Sequence, residues 1–185
     1  MHFLFVCSAN LCRSPLAAAL LRARLEQRGI TAEVDAAGLV ASGEEASDGL
    51  VDVLREWDVD LAGHRSRPLT ADAVERADVV LTMEHYQVAE VALIAPDAWD
   101  RTFTFRELVH RGQRVGRRAS NEDVAGWFRR LAAGRTRMEL VGAWHLDVAD
   151  PAGHGSLAIE QTADEVQGLV DGLVDLAWPK RPAKA

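Results

Sequence analysis

The chain of 185 residues has only two cysteines, Cys7 and Cys12. Two cysteines cannot staple a disulfide scaffold, and their spacing lacks the second ligand pair that would hold zinc. No apolar run approaches the length of a membrane span, so no membrane partner is expected. The chain does not open on a basic region followed by an apolar core, so no secretory leader is read and a cytoplasmic protein is the expectation. Positive charge is not in excess either. The net charge of −7 argues against a general nucleic-acid binder. No internal repeat is visible.

What remains is a length suited to one domain, with 48% hydrophobic residues, ordinary for a globular fold with a sizeable core. The charge is uneven. From Arg101 to Arg137 ten arginines stand against Glu107, Glu122 and Asp123, a net of +7, so the remainder carries −14. Such a segment reads either as a solvated loop and helix surface or as a face for an acidic partner.

The informative stretch is His2 to Pro15. Phe3, Leu4, Phe5 and Val6 form a continuous apolar run that suits a strand buried on both faces. Ser14 and Pro15 read as a helix start, with Ser14 as the cap and Pro15 in the first position. Leu16, Leu20, Leu21 and Leu25 then recur at helical spacing. Residues 8–13 must therefore be a tight loop between a strand end and a helix N-terminus. Backbone N–H groups and the helix dipole converge there into an anion site.

Ser8, Ala9, Asn10, Leu11, Cys12, Arg13 and Ser14 would cradle the anion. Cys7, at the lip, becomes a candidate nucleophile, because the site favours the negative thiolate. Ser14 could also donate to the sulfur. Arg13 has a planar fork that takes two phosphate oxygens at once. Asn10, in mid-loop, is the residue type that best tolerates a left-handed backbone.

A second candidate lies far along the chain. Phosphoryl transfer to a thiol needs a proton donor for the leaving oxygen and then a base for water, and one carboxyl group can do both. Asp150 precedes Pro151, which stiffens the turn and holds Asp150 extended. Asp147 competes three residues earlier but lacks the following proline.

Strands and helices alternate. Strands are expected at Glu33–Gly38, Asp78–Met83 and Phe103–Phe105. Helices are expected at Pro15–Gln27, Asp48–Trp57, after Thr70, from Glu84 towards Pro96, at Asn121–Leu131 and from about Ser156 towards Pro179. Residues 62–69 read as extended, residues 39–47 as a loop at the anion-site end, and residues 111–121 as an exposed loop. The pattern implies an α/β fold: a small four-stranded parallel sheet flanked by helices on both faces. Residues 1–178 would form one domain with an enlarged basic segment at about 97–144, and 179–185 a flexible tail.

Cys7-Ser8-Ala9-Asn10-Leu11-Cys12-Arg13-Ser14-Pro15 resembles the phosphate-binding signature of the low-molecular-weight protein tyrosine phosphatases. Val34–Gly38, His64–Arg67 with Leu69-Thr70, Ala77–Glu84 and the Asp150-Pro151 pair extend the resemblance over about residues 1–96 and 143–178. It implies a phosphotyrosine protein phosphatase I-like fold and a phosphomonoester hydrolase working through a phosphocysteine. Cys7 would be the nucleophile, Arg13 the clamp and Asp150 the general acid. No cofactor or metal is needed. The substrate would be a phosphorylated protein or a small aryl phosphate. The resemblance gives His64 a supporting hydrogen bond to the loop Asn10. Cys12 either traps oxidised Cys7 as a disulfide or packs beneath the loop.

Four departures stand out. Ala36 replaces a serine that backs the loop Asn. Ala152 and Gly153 follow the Asp-Pro pair where an aromatic is usual, and residues 39–47 lack one too. The segment from Asp97 to Trp144 is long, and its aromatics could supply the missing walls. Three alternatives follow: an arsenate reductase, for which two cysteines are too few for a full relay; a phosphoarginine phosphatase, which would carry Thr where Leu11 stands; and a non-catalytic phosphate-binding module.

Overall fold

A computed structural model describes residues 1–57, 59, 61 and 63–179. The expected tail beyond Pro179 and Ala62 of the extended stretch lie outside the described residues. Four strands, β1 (His2–Cys7), β2 (Glu33–Gly38), β3 (Val79–Thr82) and β4 (Thr102–Thr104), form one sheet. Their order is β2-β1-β3-β4, and every pairing is parallel. Each strand therefore needs a crossover, and the helices supply it: α1 (Arg13–Gln27), α2 (Asp48–Glu56), α3 (Ala71–Arg76), α4 (His85–Ile94), α5 (Phe105–Val115), α6 (Val124–Ala132) and α7 (Ser156–Ala177).

Alternation along β1 divides the core in two. Phe3 and Phe5 point into the larger layer with α1, α5, α6 and α7, while Leu4 and Val6 join the smaller layer with Val74 and Val91 of α3 and α4. All six residues of β1 are buried, which is why its sequence is a continuous apolar run rather than an alternating one. Edge-to-face contacts of Phe3 with Phe128 at 5.8 Å and of Phe5 with Phe105 at 5.2 Å seat the sheet on α6 and α5.

Several boundaries differ from the sequence expectation, among them the start of α6, which is Val124 and not Asn121. Helix α1 begins at Arg13, with Cys12 as its cap residue and no side-chain cap bond. Ser14 is fully buried and turned towards Cys7, so it is engaged elsewhere. Pro15 is then the third helical residue, still among the first-turn positions whose N–H has no helical partner.

Strand β4 ends at Thr104, whose side chain caps α5 by accepting from the Glu107 N–H at 3.0 Å. Phe105 thus opens a helix instead of closing a strand. That helix runs to Val115, through the front of the stretch read as a loop. Its glycine has a packing reason: a Cβ on Gly112 would sit 2.8 Å from Leu176 and 3.3 Å from Trp127.

Four arginines of the basic segment are bonded inward, while Arg114, Arg117, Arg129 and Arg137 are exposed. Arg135 is buried against Glu107 through Nε at 2.7 Å and Nη2 at 3.0 Å, and its guanidinium lies over Phe103 and Trp99. Arg111 donates to the carbonyls of Leu131 and Ala133, Arg118 to those of Ala177 and Glu122, and Arg130 to the Glu122 carboxylate. These cations stitch α5, α6 and the end of α7 together.

Candidate active site

The chain leaves β1 between β2 and β3, so the loop after β1 opens at the crevice where the strand order reverses. Residues 8–12 turn tightly there. Asn10 has φ 57°, the single non-glycine residue with positive φ among the described residues. Gly38, at the end of β2, lies directly beneath. A Cβ at that position would fall 2.7 Å from the Ala9 carbonyl carbon and the Asn10 nitrogen. Only a glycine permits this approach of two backbones.

The loop is fixed by its side chains and its neighbours. Asn10 donates through Nδ2 to Ser14 Oγ at 2.9 Å and accepts from the Arg67 N–H at 3.0 Å. His64 Nε2 lies 2.7 Å from the Asn10 carbonyl oxygen. Ser14 and the Arg67 backbone thus bond the Asn10 side chain with alanine at position 36, and His64 reaches the backbone of Asn10 rather than its amide. Residues 39–47 run at the same end, where the Val40 N–H donates to the Ser8 carbonyl at 2.9 Å and the Ser47 N–H to the Leu11 carbonyl at 3.0 Å.

Cys7 Sγ is the focus of this loop. It accepts from the Asn10 N–H at 3.2 Å and lies 3.0 Å from Ser14 Oγ. Arg13 is buried and spread between two carboxylates: Nη1 reaches Glu84 Oε1 at 2.6 Å and the Val148 carbonyl at 3.0 Å, and Nη2 reaches Asp150 Oδ2 at 2.5 Å. Burial opposes the guanidinium charge, but Asp150, Cys7 and Glu84 more than offset it and hold the group above its ordinary pKa. Arg13 is therefore a fixed cation.

Cys12 is the contrary case. Burial, with Cys7 adding to it, pushes its thiol up to about 12, so at neutral pH it is a protonated thiol and a weak attacking group.

Cys7, Arg13 and Asp150 line one cavity of about 350 Å³. Ala9, Leu11, Pro151, Ala152 and Ile159 give it mostly apolar walls, and among the described residues lining it none is aromatic. The aromatics of residues 97–144 do not fill that role. Phe103, Phe105, Trp127 and Phe128 are buried in the core, and Trp144 rests on His85. An aromatic does reach the loop itself: the Tyr86 hydroxyl lies 2.9 Å from Ser8 Oγ.

Asp147 does not line the cavity. Its carboxylate accepts from the His85 N–H at 2.7 Å and lies 2.8 Å from His85 Nδ1.

Sequence reading missed Glu84, Ser47 and Ile159. Glu84 left a trace: with Gln87 it forms a capping box at the start of α4, a spacing visible in the sequence. That one of its oxygens also meets Arg13 is a tertiary fact.

Fold and site together define an α/β protein built to hold an anion against a thiol. The comparisons agree. A family model, Low molecular weight phosphotyrosine protein phosphatase, matches residues 2–118, and the chain belongs to that family. The protein-arginine-phosphatase of Bacillus subtilis (strain 168) is 38% identical over 110 residues, which is 59% of this chain and 73% of that protein. The low molecular weight protein-tyrosine-phosphatase Etp of Escherichia coli (strain K12) is 38% identical over 103 residues, 55% of this chain and 67% of that protein. Among solved structures, a cysteine-to-serine mutant of the YwlE arginine phosphatase with a phosphorylated active-site serine superimposes with a TM-score of 0.73 at 29% identity. That match covers 98% of each chain.

Proposed function

We propose that this protein hydrolyses phosphomonoesters on proteins through a phosphocysteine at Cys7, with phosphotyrosine as the substrate class. The observation that carries the reading is the meeting of Cys7, Arg13 and Asp150 in one cavity. Cys7 Sγ attacks phosphorus and the bond to the leaving oxygen breaks. Arg13 exchanges its bond to Asp150 for the equatorial phosphoryl oxygens, which the N–H groups of residues 8–13 also hold, where transition-state charge spreads. Ser14 Oγ supports the sulfur as it leaves again. Asp150 gives its proton to the leaving oxygen and then takes one from the water that cleaves the phosphocysteine. Glu84 and the Val148 carbonyl keep the other edge of Arg13 in place throughout.

The apolar walls at Leu11, Pro151 and Ile159 suit an aryl leaving group. The second reading is phosphoarginine, favoured by the names of the relatives from Bacillus subtilis and Geobacillus stearothermophilus. Leu11 and the apolar lining place it second. We also read residues 1–178 as one domain whose long basic segment is largely structural, with Arg106, Arg111, Arg118, Arg130 and Arg135 bonded internally rather than held out to an acidic partner. The two free thiols suit a reducing, cytoplasmic setting.

The test is direct. Cys7→Ser should lose aryl phosphatase activity by on the order of 10⁴-fold or more, while denaturing the wild type during turnover should trap phosphate on Cys7. Undiminished hydrolysis by the variant would defeat the nucleophile assignment. Equal kcat/KM on phosphoarginine and phosphotyrosine peptides would defeat the preference.

A further inference from the structure

Asp150 must hold its carboxyl group at the leaving oxygen. Downstream the hold is local: Pro151 is buried and the Ala152 N–H donates to Asp150 Oδ1 at 3.1 Å. Residues 152–157 are exposed, and Gly153 and Gly155 take left-handed backbone at φ 78° and 82°. The upstream side is different. The Val148 N–H donates to the Met83 carbonyl at 2.8 Å, and the Val148 carbonyl accepts from Arg13.

One residue earlier, Asp147 receives two bonds from His85: from its backbone N–H at 2.7 Å and from its ring, whose Nδ1 lies 2.8 Å from Oδ2. Both side chains are mostly shielded, at 13% and 15% exposure. Trp144 packs edge-to-face against the imidazole at a centroid distance of 4.8 Å. A carboxylate facing Nδ1 keeps the proton on that nitrogen, so the ring donates.

From this we infer that His85 and Asp147 form a clasp that positions Asp150 for proton transfer. The clasp pins the strand of chain leading to Asp150 onto the start of α4, the same turn from which Glu84 grips Arg13. One short segment, residues 83–85, thereby sets both the clamp and the proton donor. Neither His85 nor Asp147 lines the cavity, so each acts through Asp150 and not on substrate. The inference rests on the reading of Asp150 as general acid.

A positioning role for the acid has a signature that a structural role lacks. A poor leaving group needs the proton, and a good one does not. The experiment measures kcat/KM, which reports the steps up to departure of the leaving group, for 4-nitrophenyl phosphate and for unsubstituted phenyl phosphate. Wild type, Asp147→Asn, His85→Gln and Asp150→Asn are compared, with melting temperatures for each.

Asp150→Asn is expected to lose far more on phenyl than on 4-nitrophenyl phosphate. Asp147→Asn should follow it, losing about 100-fold on the poor leaving group, as a misplaced group does, and only a few-fold on the good one. His85→Gln keeps a side-chain donor and should fall between. An equal loss on both substrates, or none, in Asp147→Asn while Asp150→Asn shows the selective loss would overturn the clasp alone. If Asp150→Asn itself shows no selectivity, the general-acid reading fails first, and the clasp with it.

Discussion

Among the described residues two arginine side chains, those of Arg13 and Arg135, are almost fully buried, and the difference lies in their partners. Arg135 is enclosed by Glu107, which is 6% exposed, by the Trp99 carbonyl and by two aromatic faces. Arg13 is bonded as completely, but one partner, Asp150, is 44% exposed and stands at the edge of a cavity. An incoming phosphoryl group can replace Asp150 at Arg13 and release its carboxyl group for proton transfer. Glu107, only 6% exposed, is far less open to exchange at Arg135. A buried, paired arginine is thus a site or a rivet according to whether its carboxylate can be exchanged.

The comparison is sharpest when each arginine is replaced in turn. Arg13→Lys removes the planar fork and should cost about 10²–10³-fold in kcat, the scale of one lost oxyanion donor, with the melting temperature close to wild type. Arg135→Met leaves Glu107 buried and unpaired, which costs about 3–5 kcal/mol, and should lower the melting temperature strongly while the folded enzyme keeps its kcat within a few-fold. Exchanged phenotypes would dissolve the distinction.

A smaller loss is expected from Gly38→Ala. Its methyl group must push the loop at Ala9 and Asn10, and a displacement near 1 Å costs about 100-fold in rate. Phosphate inhibition should weaken in parallel. Unchanged phosphate affinity would mean that the loop does not rest on β2.

Smallest is a pH effect in the middle of β2. Partial burial opposes the charge of Asp35, but hydrogen bonds from Arg67 and His2 hold it below the usual carboxylate range. A carboxylate depressed in the folded state contributes stability above its unfolded value, and that contribution is lost as pH falls through the folded value. Asp35→Asn should flatten this part of the acid stability curve and leave neutral-pH turnover intact. An unchanged acid limb would remove Asp35 from the account.

The anion loop was readable because its cues are local. A continuous apolar run, a polar turn with Asn10 at its centre, and an arginine at a helix start are each set by neighbours in sequence. The parallel sheet followed from the alternation of strands and helices. What could not be read depends on distant partners. Ser14 has the composition of a cap but bonds Cys7 and Asn10. Gly112 looks like a loop residue, yet it sits mid-helix because Leu176 and Trp127 crowd the space a side chain would take. Glu84 reads only as a helix cap until Arg13 is seen beside it, and Asp147 reads as a rival acid until His85 is seen to hold it. The arginine run looked like surface because its acceptors are mostly backbone carbonyls, which no composition count can reveal.

Trp144 offers a practical dividend. It is 74% exposed, whereas Trp127 is fully enclosed, so once the partly buried Trp57, Trp99 and Trp178 are replaced by phenylalanine the two remaining indoles should emit at separable wavelengths and differ in their access to aqueous quenchers. Because Trp144 leans on the imidazole of His85, its emission is an optical reporter placed a few residues from Asp150. Rapid-mixing fluorescence in that variant could therefore test, without any attached dye, whether the segment before Asp150 stays fixed during a single turnover.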